Sequence, residues 1–371
     1  MGAVATELSA EQRRSGIESS VWCVDAPEVA ASVGPPDDIV PLPVFGPRRF
    51  AFSPVSERRA RNIRTDVVHQ HGLWTAQTRV TEVFRARHIP TIIAPHGSLE
   101  PYARRHSARK KRIALAWFES RNLHLASCLH ATTEAELRTF RNFGLRRPVA
   151  VVPPGIASSW LEACPDPARF KQRHGLDDGR RIMLFLSRID TKKGLPLLIE
   201  ALAMHRQRLE EWRVVIAGPD VKGHRANVEA LAERLGVASS IRFVGPVFDR
   251  DKRDAFAAAD VFVLPTHSEN FGIVIVEALA SGVPVITTRG TPWSELEVHR
   301  CGWWVPPDSR SIGDALIDAA RRSDAELRAM GARGRALVES RYLWSAVAER
   351  MTELYGWLLG EAQKPSFVAV D

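Results

Sequence analysis

Two glutamates stand eight positions apart in the run HSENFGIVIVEALASG, residues 267–282. Glu269 lies in a polar turn, and Glu277 lies among Ile273, Val274, Ile275, Val276, Leu279 and Val283. A carboxylate inside so apolar a helix is costly unless it is paired or hydrogen-bonded. Two adjacent hydroxyls, as in a ribose diol, satisfy it; so does a buried ion pair with a nearby Arg or Lys. A second segment, SRIDTKKGLPLLIEAL at 187–202, puts Arg188, Lys192 and Lys193 where a strand ends. Gly194 then starts a helix, with Pro196 in its first turn. Helix N-termini present free N–H groups and a positive dipole end, so cations at such a start form a diphosphate clamp. Arg and Lys are also ordinary turn residues. In IRFVGPV, 241–247, Gly245 lets a flat ring approach the backbone and leaves Val247 to meet its edge. The same residues also make an ordinary turn.

The first half carries histidines: His69 and His71 in DVVHQHGLW, and His96 in PHGSLEP. No carboxylate or cysteine accompanies them, which argues against a metal site. Trp74 follows on the same loop and suits either stacking on an acceptor sugar or core packing. The run ARRHSARKKR, 103–112, includes Arg104 and Arg105. It is either a solvated helix face or a surface for something anionic, such as a membrane face or a phosphorylated lipid. No aromatic ladder or recognition module accompanies it, so nucleic acid is not the expected partner. Asp249-Arg250-Asp251 is a DxD string of the kind that can hold a divalent cation. It directly precedes a helical stretch, KRDAFAAAD, where Asp residues are expected as caps.

Short β-branched runs must position these groups. They fall at 18–24, 66–70, 91–95, 128–132 and 149–153, then at 181–187, 212–217, 241–244, 260–264, 283–287 and 302–305. Each is followed by a helical pattern, and the runs are apolar on both faces, so the fold class is α/β with parallel sheets. About eleven strands are too many for one doubly wound sheet; two such domains fit. The polar stretch 157–180 sets the expected boundary, giving domains 1–165 and 166–341 and a closing helix, 342–371, that crosses back to the N-terminal domain. The proline-rich stretch 34–54 is expected to be an irregular surface loop. Ligands of open parallel sheets bind beyond the strands' carboxyl ends, where the His, Arg, Gly and Glu residues above lie.

Composition is ordinary for a globular protein, with 45% hydrophobic and 25% charged residues, and 371 residues are long for one domain and comfortable for two. No apolar run approaches the roughly 20 residues of a membrane span, and no signal peptide opens the chain. Four scattered cysteines without a CxxC pair fit a reducing cytoplasm. The net charge of +8 is lopsided. Residues 1–165 carry 22 Lys+Arg against 15 Asp+Glu, and residues 166–371 carry 29 against 28.

The linked motifs resemble one family. ENFGIVIVEALASGVPVI resembles the E-x7-E signature of retaining GT-B glycosyltransferases of family 4 (glycosyl transferases group 1). SRIDTKKGLPLLIEAL is similar to that family's phosphate-clamp segment, and FVGPV to its base-binding turn. DVVHQHGLW, PHGSLEPYA and CLHATTEAE resemble bacterial exopolysaccharide members. The resemblance implies two Rossmann-like domains facing across a cleft and transfer of a sugar from a nucleotide-diphosphate sugar to an acceptor hydroxyl, with retention and without a metal or other cofactor. It implies that Arg188 and Lys193 hold the diphosphate and that Glu277 holds the ribose. Glu269, with Asn270 and the backbone N–H groups of Phe271 and Gly272, would hold the donor sugar beside His96, and Gly245 and Val247 the base. His71, Trp74, Arg104 and Arg105 would meet a glycan or lipid-linked saccharide acceptor, with peripheral contact to an anionic inner membrane face.

Family members open with a strand and a Gly-rich turn, of which only Gly2 can remain here. The absent strand is central in such a sheet, so its loss is expected to leave a gap, and a misassigned or truncated start is inferred. Two other readings stay open: a nucleotide-sugar epimerase of the same architecture, and a non-catalytic nucleotide-sugar-binding relic.

Overall fold

The computed structural model describes residues 2–24, 39–105, 107–162 and 164–370, without the side chains of 24, 49, 102 and 105. In chain order the strands are β1 (Val21–Val24), β2 (Ile39–Leu42), β3 (Val68–His71), β4 (Thr91–Ala94), β5 (Cys128–Ala131) and β6 (Val149–Val151). β7 (Arg181–Leu186), β8 (Trp212–Ala217), β9 (Ile241–Gly245), β10 (Val261–Leu264), β11 (Val285–Thr288) and β12 (Gly302–Val305) follow, and β13 (Val368–Ala369) closes the chain. The chain forms two compact units, residues 1–155 with 344–371, and residues 156–343.

The boundary thus lies ten residues before the expected one. The stretch 157–180 is polar not because it is a linker but because it is tied down by charge. Asp166 caps the helix Pro167–His174 through Arg169 N. The Asp166 N–H donates to Asp254 Oδ1 at 2.7 Å, and Arg169 Nε donates to Asp254 Oδ2 at 2.8 Å.

In the second unit the six strands are all parallel, in the order β12-β11-β10-β7-β8-β9. The chain starts in the middle at β7, winds outward to β9, then returns to β10 and winds the other way. The order reverses between β7 and β10, and the loops leaving those two strands diverge there to form a crevice. Phe185, Phe256, Phe262 and Trp293 are fully buried around the sheet. Helices such as Leu195–Met204 and Ile273–Ala280 are apolar nearly all round because they press on the sheet and on further helices.

In the first unit a five-stranded sheet runs β13-β6-β5-β4-β3, with only β13 antiparallel, and β1 and β2 pair separately in parallel. The sheet of this unit is therefore in two pieces. β2 falls inside the stretch expected to be loop. Its Pro41 lacks an N–H but stands opposite Cys23 on an edge strand, where a missing donor is tolerated. Gly2 opens the helix Gly2–Arg14 instead of a glycine turn, and a side chain there would meet open space. That helix packs on the closing helix Trp344–Leu359, where Gln12 Nε2 donates to the Tyr355 hydroxyl at 3.1 Å.

Candidate functional site

The two loops at the crevice of the second unit are bound to each other. Asp190 ends the β7 loop by accepting from Lys192 N at 2.8 Å, which lowers the pKa of its carboxyl, and this fixes the short turn Thr191–Lys193. The His267 N–H, beyond β10, donates to the Lys192 carbonyl at 2.9 Å, and Thr266 Oγ1 donates to the same oxygen at 3.0 Å. Gly194 has φ of +69°, and a Cβ there would run into the Pro265 carbonyl oxygen, so only glycine lets the loops approach this closely. The consequence is chemical. Lys193, only 8% exposed, forms an ion pair with Glu269, while Arg188 lies exposed at the end of the same strand.

The neighbouring strand ends are drawn in as well. A Cβ on Gly218 would strike the Ser187 carbonyl, and the Gly218 N–H donates to Gly245 O at 2.8 Å, so β7, β8 and β9 end together. Gly245 has φ of +78° with nothing near its Cβ direction, and Val247 is half-buried. Beyond β10 the Glu269 N–H donates to Gly290 O at 2.8 Å. Phe271 packs its ring on Trp293 and Tyr342, and its carbonyl accepts from Trp293 Nε1 at 2.6 Å. Its side chain is therefore core, and only its backbone faces the turn in which Asn270 precedes it. Gly272, at φ of +85°, caps the helix Ile273–Ala280.

Glu277 is 8% exposed within that helix. Burial raises its pKa, opposed by Lys252, whose Nζ lies 2.5 Å from Oε1. The ion-pair alternative is thus present, and it uses one oxygen. Oε2 is buried with no hydrogen-bond partner. An orphaned carboxylate oxygen is expensive in the free protein and is satisfied by a donor such as a hydroxyl. Lys252 was not singled out from the sequence. Its place in KRDAFAAAD marked only a helical stretch, and only the fold brings the helix Asp249–Ala257 near enough to Ile273–Ala280 for Lys252 to reach Glu277. In the DxD string, Asp251 accepts from Arg169 at 3.2 Å and from Arg173 at 2.5 Å. The cap of that helix is Phe248, without a side-chain bond, so neither Asp249 nor Asp251 serves as the cap.

In the first unit, four imidazoles cluster. His71 Nδ1 and His96 Nε2 are 2.9 Å apart with stacked rings, and His69 Nε2 and His130 Nδ1 are 3.1 Å apart. The chemistry of one end orders the second pair. His130 Nε2 lies 2.7 Å from the Val152 carbonyl, which only accepts, so that nitrogen carries the proton. His130 Nδ1 must then accept from His69 Nε2, and His69 Nδ1 accepts from the Tyr355 hydroxyl at 3.3 Å. Burial, reinforced by the neighbouring imidazoles, holds His69 and His71 well below the usual histidine range and His96 at about 3. His130 is lowered by burial to about 4. All four are neutral at pH 7, so His96 can act only as a hydrogen-bonding group and not as a cation. Among the described residues no group of three or more His, Cys, Asp or Glu side chains is arranged to hold a metal ion.

His96 is itself held. It has φ of +50°, and the next N–H, of Gly97, donates to Glu136 Oε1 at 2.6 Å. Glu136 Oε2 accepts from Thr132 N and Oγ1, both at 2.8 Å, which locks the loops after β4 and β5 together. His130 and Glu136 both lie in CLHATTEAE, but neither stands out there, because strand alternation alone does not say that β3, β4 and β5 are neighbours. The remaining acceptor residues scatter. The Trp74 N–H donates to buried Glu119 at 2.7 Å, and its ring packs on the core beneath Lys111. Arg104 lies over the Phe143 ring at 5.0 Å, and the Arg105 side chain is outside the described residues.

Two units, one of them a six-stranded doubly wound parallel sheet with cations and carboxylates at its switch point, are the architecture of the GT-B glycosyltransferases, the class to which the family matches also assign the chain. The chain belongs to the glycosyl transferases group 1, whose description it matches over residues 166–336; residues 1–155 match the glycosyl transferase 4-like domain. It is 30% identical over 256 residues to D-inositol 3-phosphate glycosyltransferase of Kineococcus radiotolerans, covering 64% of this chain and 58% of that one. It is 28% identical over 350 residues to phosphatidyl-myo-inositol mannosyltransferase of Mycobacterium leprae, covering 90% and 84%. The chain thus spans about half the length of several curated relatives it matches. Its fold is that of Anabaena HepE in complex with UDP-glucose, with a TM-score of 0.74, 20% identity and 96% of each chain covered. Sucrose-phosphate synthase from Thermosynechococcus elongatus shares it too, at a TM-score of 0.73 and 19% identity, covering 96% of this chain and 92% of that one.

Proposed function

We propose that this protein moves a sugar from a nucleotide-diphosphate sugar to an acceptor hydroxyl, with retention of anomeric configuration, in the assembly of a cell-surface glycan. The observation that carries the reading is the pairing of Lys193 with Glu269 at the switch point, one helix away from the orphaned Oε2 of Glu277. The similar structure of HepE, a complex with UDP-glucose, supports a nucleotide-sugar donor.

In this reading the ribose diol donates to Glu277, and the base lies against Gly245 and Val247. Glu269, Asn270 and the N–H groups of Phe271 and Gly272 hold the sugar. The bond from the anomeric carbon to the diphosphate breaks with its electron pair leaving on phosphate. Arg188, Lys193 and the adjacent helix start stabilise that charge, so no metal is called for. Lys193 exchanges Glu269 for phosphate as the donor enters, which releases the carboxylate to accept from sugar hydroxyls. His96, neutral, bonds a hydroxyl of the same sugar. A short-lived ion pair then receives the acceptor hydroxyl on the face the diphosphate leaves, and the acceptor's proton passes to a diphosphate oxygen. The neutralisation of Asp251 by Arg169 and Arg173 supports metal independence, because that carboxylate is already matched. The reaction belongs in the cytoplasm at the inner membrane face, where nucleotide sugars meet lipid-linked acceptors. The attachment proposed here is peripheral; no helix among the described residues is long and apolar enough to cross a membrane.

A thermal-shift panel of nucleotide sugars on wild type and Glu277→Ala tests the donor site: one donor stabilises the wild type, and the variant loses most of the shift. An equal shift in both would sink the ribose role. Release of nucleoside diphosphate only when acceptor is present separates transfer from epimerisation.

A further inference from the structure

Four carboxylates among the described residues are buried: Glu119, Glu136, Asp254 and Glu277. Three of them have both oxygens satisfied. Glu119 accepts from Trp74 N and Thr78 Oγ1 on Oε1 and from Asn122 Nδ2 at 3.4 Å on Oε2. Glu136 accepts from Gly97 N on one oxygen and from Thr132 on the other. Asp254 accepts from Asp166 N on Oδ1 and from Arg169 Nε on Oδ2. Of the four, Glu277 alone keeps an oxygen, Oε2, buried and without a partner. A carboxylate that serves packing is saturated, as the other three are. Glu277 is instead held at one oxygen and open at the other.

The holding is done by Lys252, whose Nζ lies 2.5 Å from Oε1. Its helix, Asp249–Ala257, begins at Phe248, directly after the turn that carries Gly245 and Val247, and Lys252 N donates to the Phe248 carbonyl at 3.2 Å. The chain leaving the candidate base turn thus brings an ammonium to the candidate ribose carboxylate in about one helical turn. The ammonium is placed as well. It lies 5.6 Å from the centre of the Trp160 ring, and that ring packs edge-on against buried Phe256. Asp251 and Asp254 tie the same helix to Arg169 and Arg173, so Lys252 stands on a fixed support. A pair kept for stability alone would take another form. An apolar pair of equal volume is often as stable, and an arginine fork would match both oxygens. A lysine binds as a point charge and leaves the second oxygen open.

We infer that Lys252 is a positioning residue for the nucleotide's ribose: it ties down Oε1 of Glu277 and so presents Oε2, still short of a donor, to one hydroxyl of the ribose diol. The inference rests on the proposed donor reading and adds to it the residue that makes Glu277 selective for ribose over deoxyribose. Lys252 also keeps the carboxylate a strong acceptor. Burial raises the pKa of Glu277 and Lys252 opposes that. Without the ammonium the carboxyl group takes up a proton more readily and loses the charge that strengthens a hydroxyl's hydrogen bond. A deoxyribose brings no hydroxyl to Oε2 and leaves it orphaned, so the site discriminates by the cost of an unmet acceptor.

Titration calorimetry of the full chain with UDP and GDP, and with their 2′-deoxy and 3′-deoxy forms, tests the inference. Wild type should prefer the ribonucleotide over one of the deoxy forms by about tenfold or more. In Lys252→Met that preference should shrink to about twofold or less, while affinity for the deoxy form stays within about threefold of wild type, because the diphosphate contacts remain. A merely structural role would weaken the ribose and deoxyribose forms alike. Lys252→Arg keeps the charge and should melt near wild type, but its guanidinium reaches both carboxylate oxygens, so the preference should fall there too. A preference unchanged in folded Lys252→Met, or in Lys252→Arg should Lys252→Met not fold, would overturn the inference and leave nucleotide binding in place. So would a loss of affinity in equal proportion for both forms. Wild type that binds neither UDP nor GDP would instead overturn the donor reading, and this role of Lys252 with it.

Discussion

Lowering the pH from 7.5 to 5.5 loads protons onto His69, His71, His96 and His130 in the unfolded chain but not in the folded one. Their folded pKa values are all depressed below the usual histidine range, to about 3 for His96 and about 4 for His130. The unfolded state therefore binds more protons as pH falls through about 6.5, and stability falls with it until the folded groups titrate in turn. Between pH 7.5 and 5.5 each residue contributes about 1.4 kcal/mol, so four contribute up to about 5 kcal/mol. That is comparable to the whole stability of many domains, roughly 5–15 kcal/mol. The loss belongs to the first unit, which contains all four. Hydrogen exchange read by peptide should show the strands β3, β4 and β5 losing protection at pH 5.5, after correction for intrinsic rates, while β7 and β8 keep theirs. Removing two of the groups, with His71→Asn and His96→Asn, should halve the pH slope of unfolding. Protection in β3 to β5 that does not change between the two pH values would refute the reasoning, since it would mean that the folded imidazoles protonate as easily as free ones.

Two further substitutions probe the second unit. Gly194→Ala forces a Cβ into the Pro265 carbonyl and separates the β7 and β10 loops; it should lower the melting temperature and abolish the donor-induced thermal shift, whereas an unchanged shift would mean that the loop contact does not set Lys193. Arg169→Ala leaves Asp254, 1% exposed, as a buried charge without its cation; the cost should be about 3 kcal/mol, or a melting temperature lower by roughly 6–12 °C, and a drop under 2 °C by calorimetry would show that the pair contributes nothing.

Parallel-strand runs apolar on both faces were legible along the chain because burial on both sides leaves no alternation to hide them. β2 and β13 were not legible. β2 carries a proline, and β13 is two residues long, so each exists only because an edge was there to pair with. The expected boundary at 165/166 and the division of the compact units at 155/156 differ because a polar stretch reads alike whether its charges meet water or each other. At the candidate site, Arg188, Lys193, Glu269 and Glu277 stand out by residue type and spacing, since cations at a helix start and a carboxylate in an apolar run are conspicuous in one dimension. Lys252, His130 and Glu136 do not, since nothing near them in the chain marks what they meet in space.

The sequence by itself determined which segments become strands and helices, where strands end in reactive side chains, and that one half of the chain is basic. Those are properties of neighbours along the chain. Tertiary structure decided that Lys193 meets Glu269 across the switch point and that Glu277 keeps one oxygen without a partner. It also decided that four histidines, two on β3, one on β5 and one in the loop after β4, become a neutral cluster, and that Glu119, inside a basic helical stretch, turns inward to the Trp74 N–H. Each of these depends on which strands lie side by side and which helix face is covered, and only packing fixes that, because burial couples residues that the chain holds tens or hundreds of positions apart.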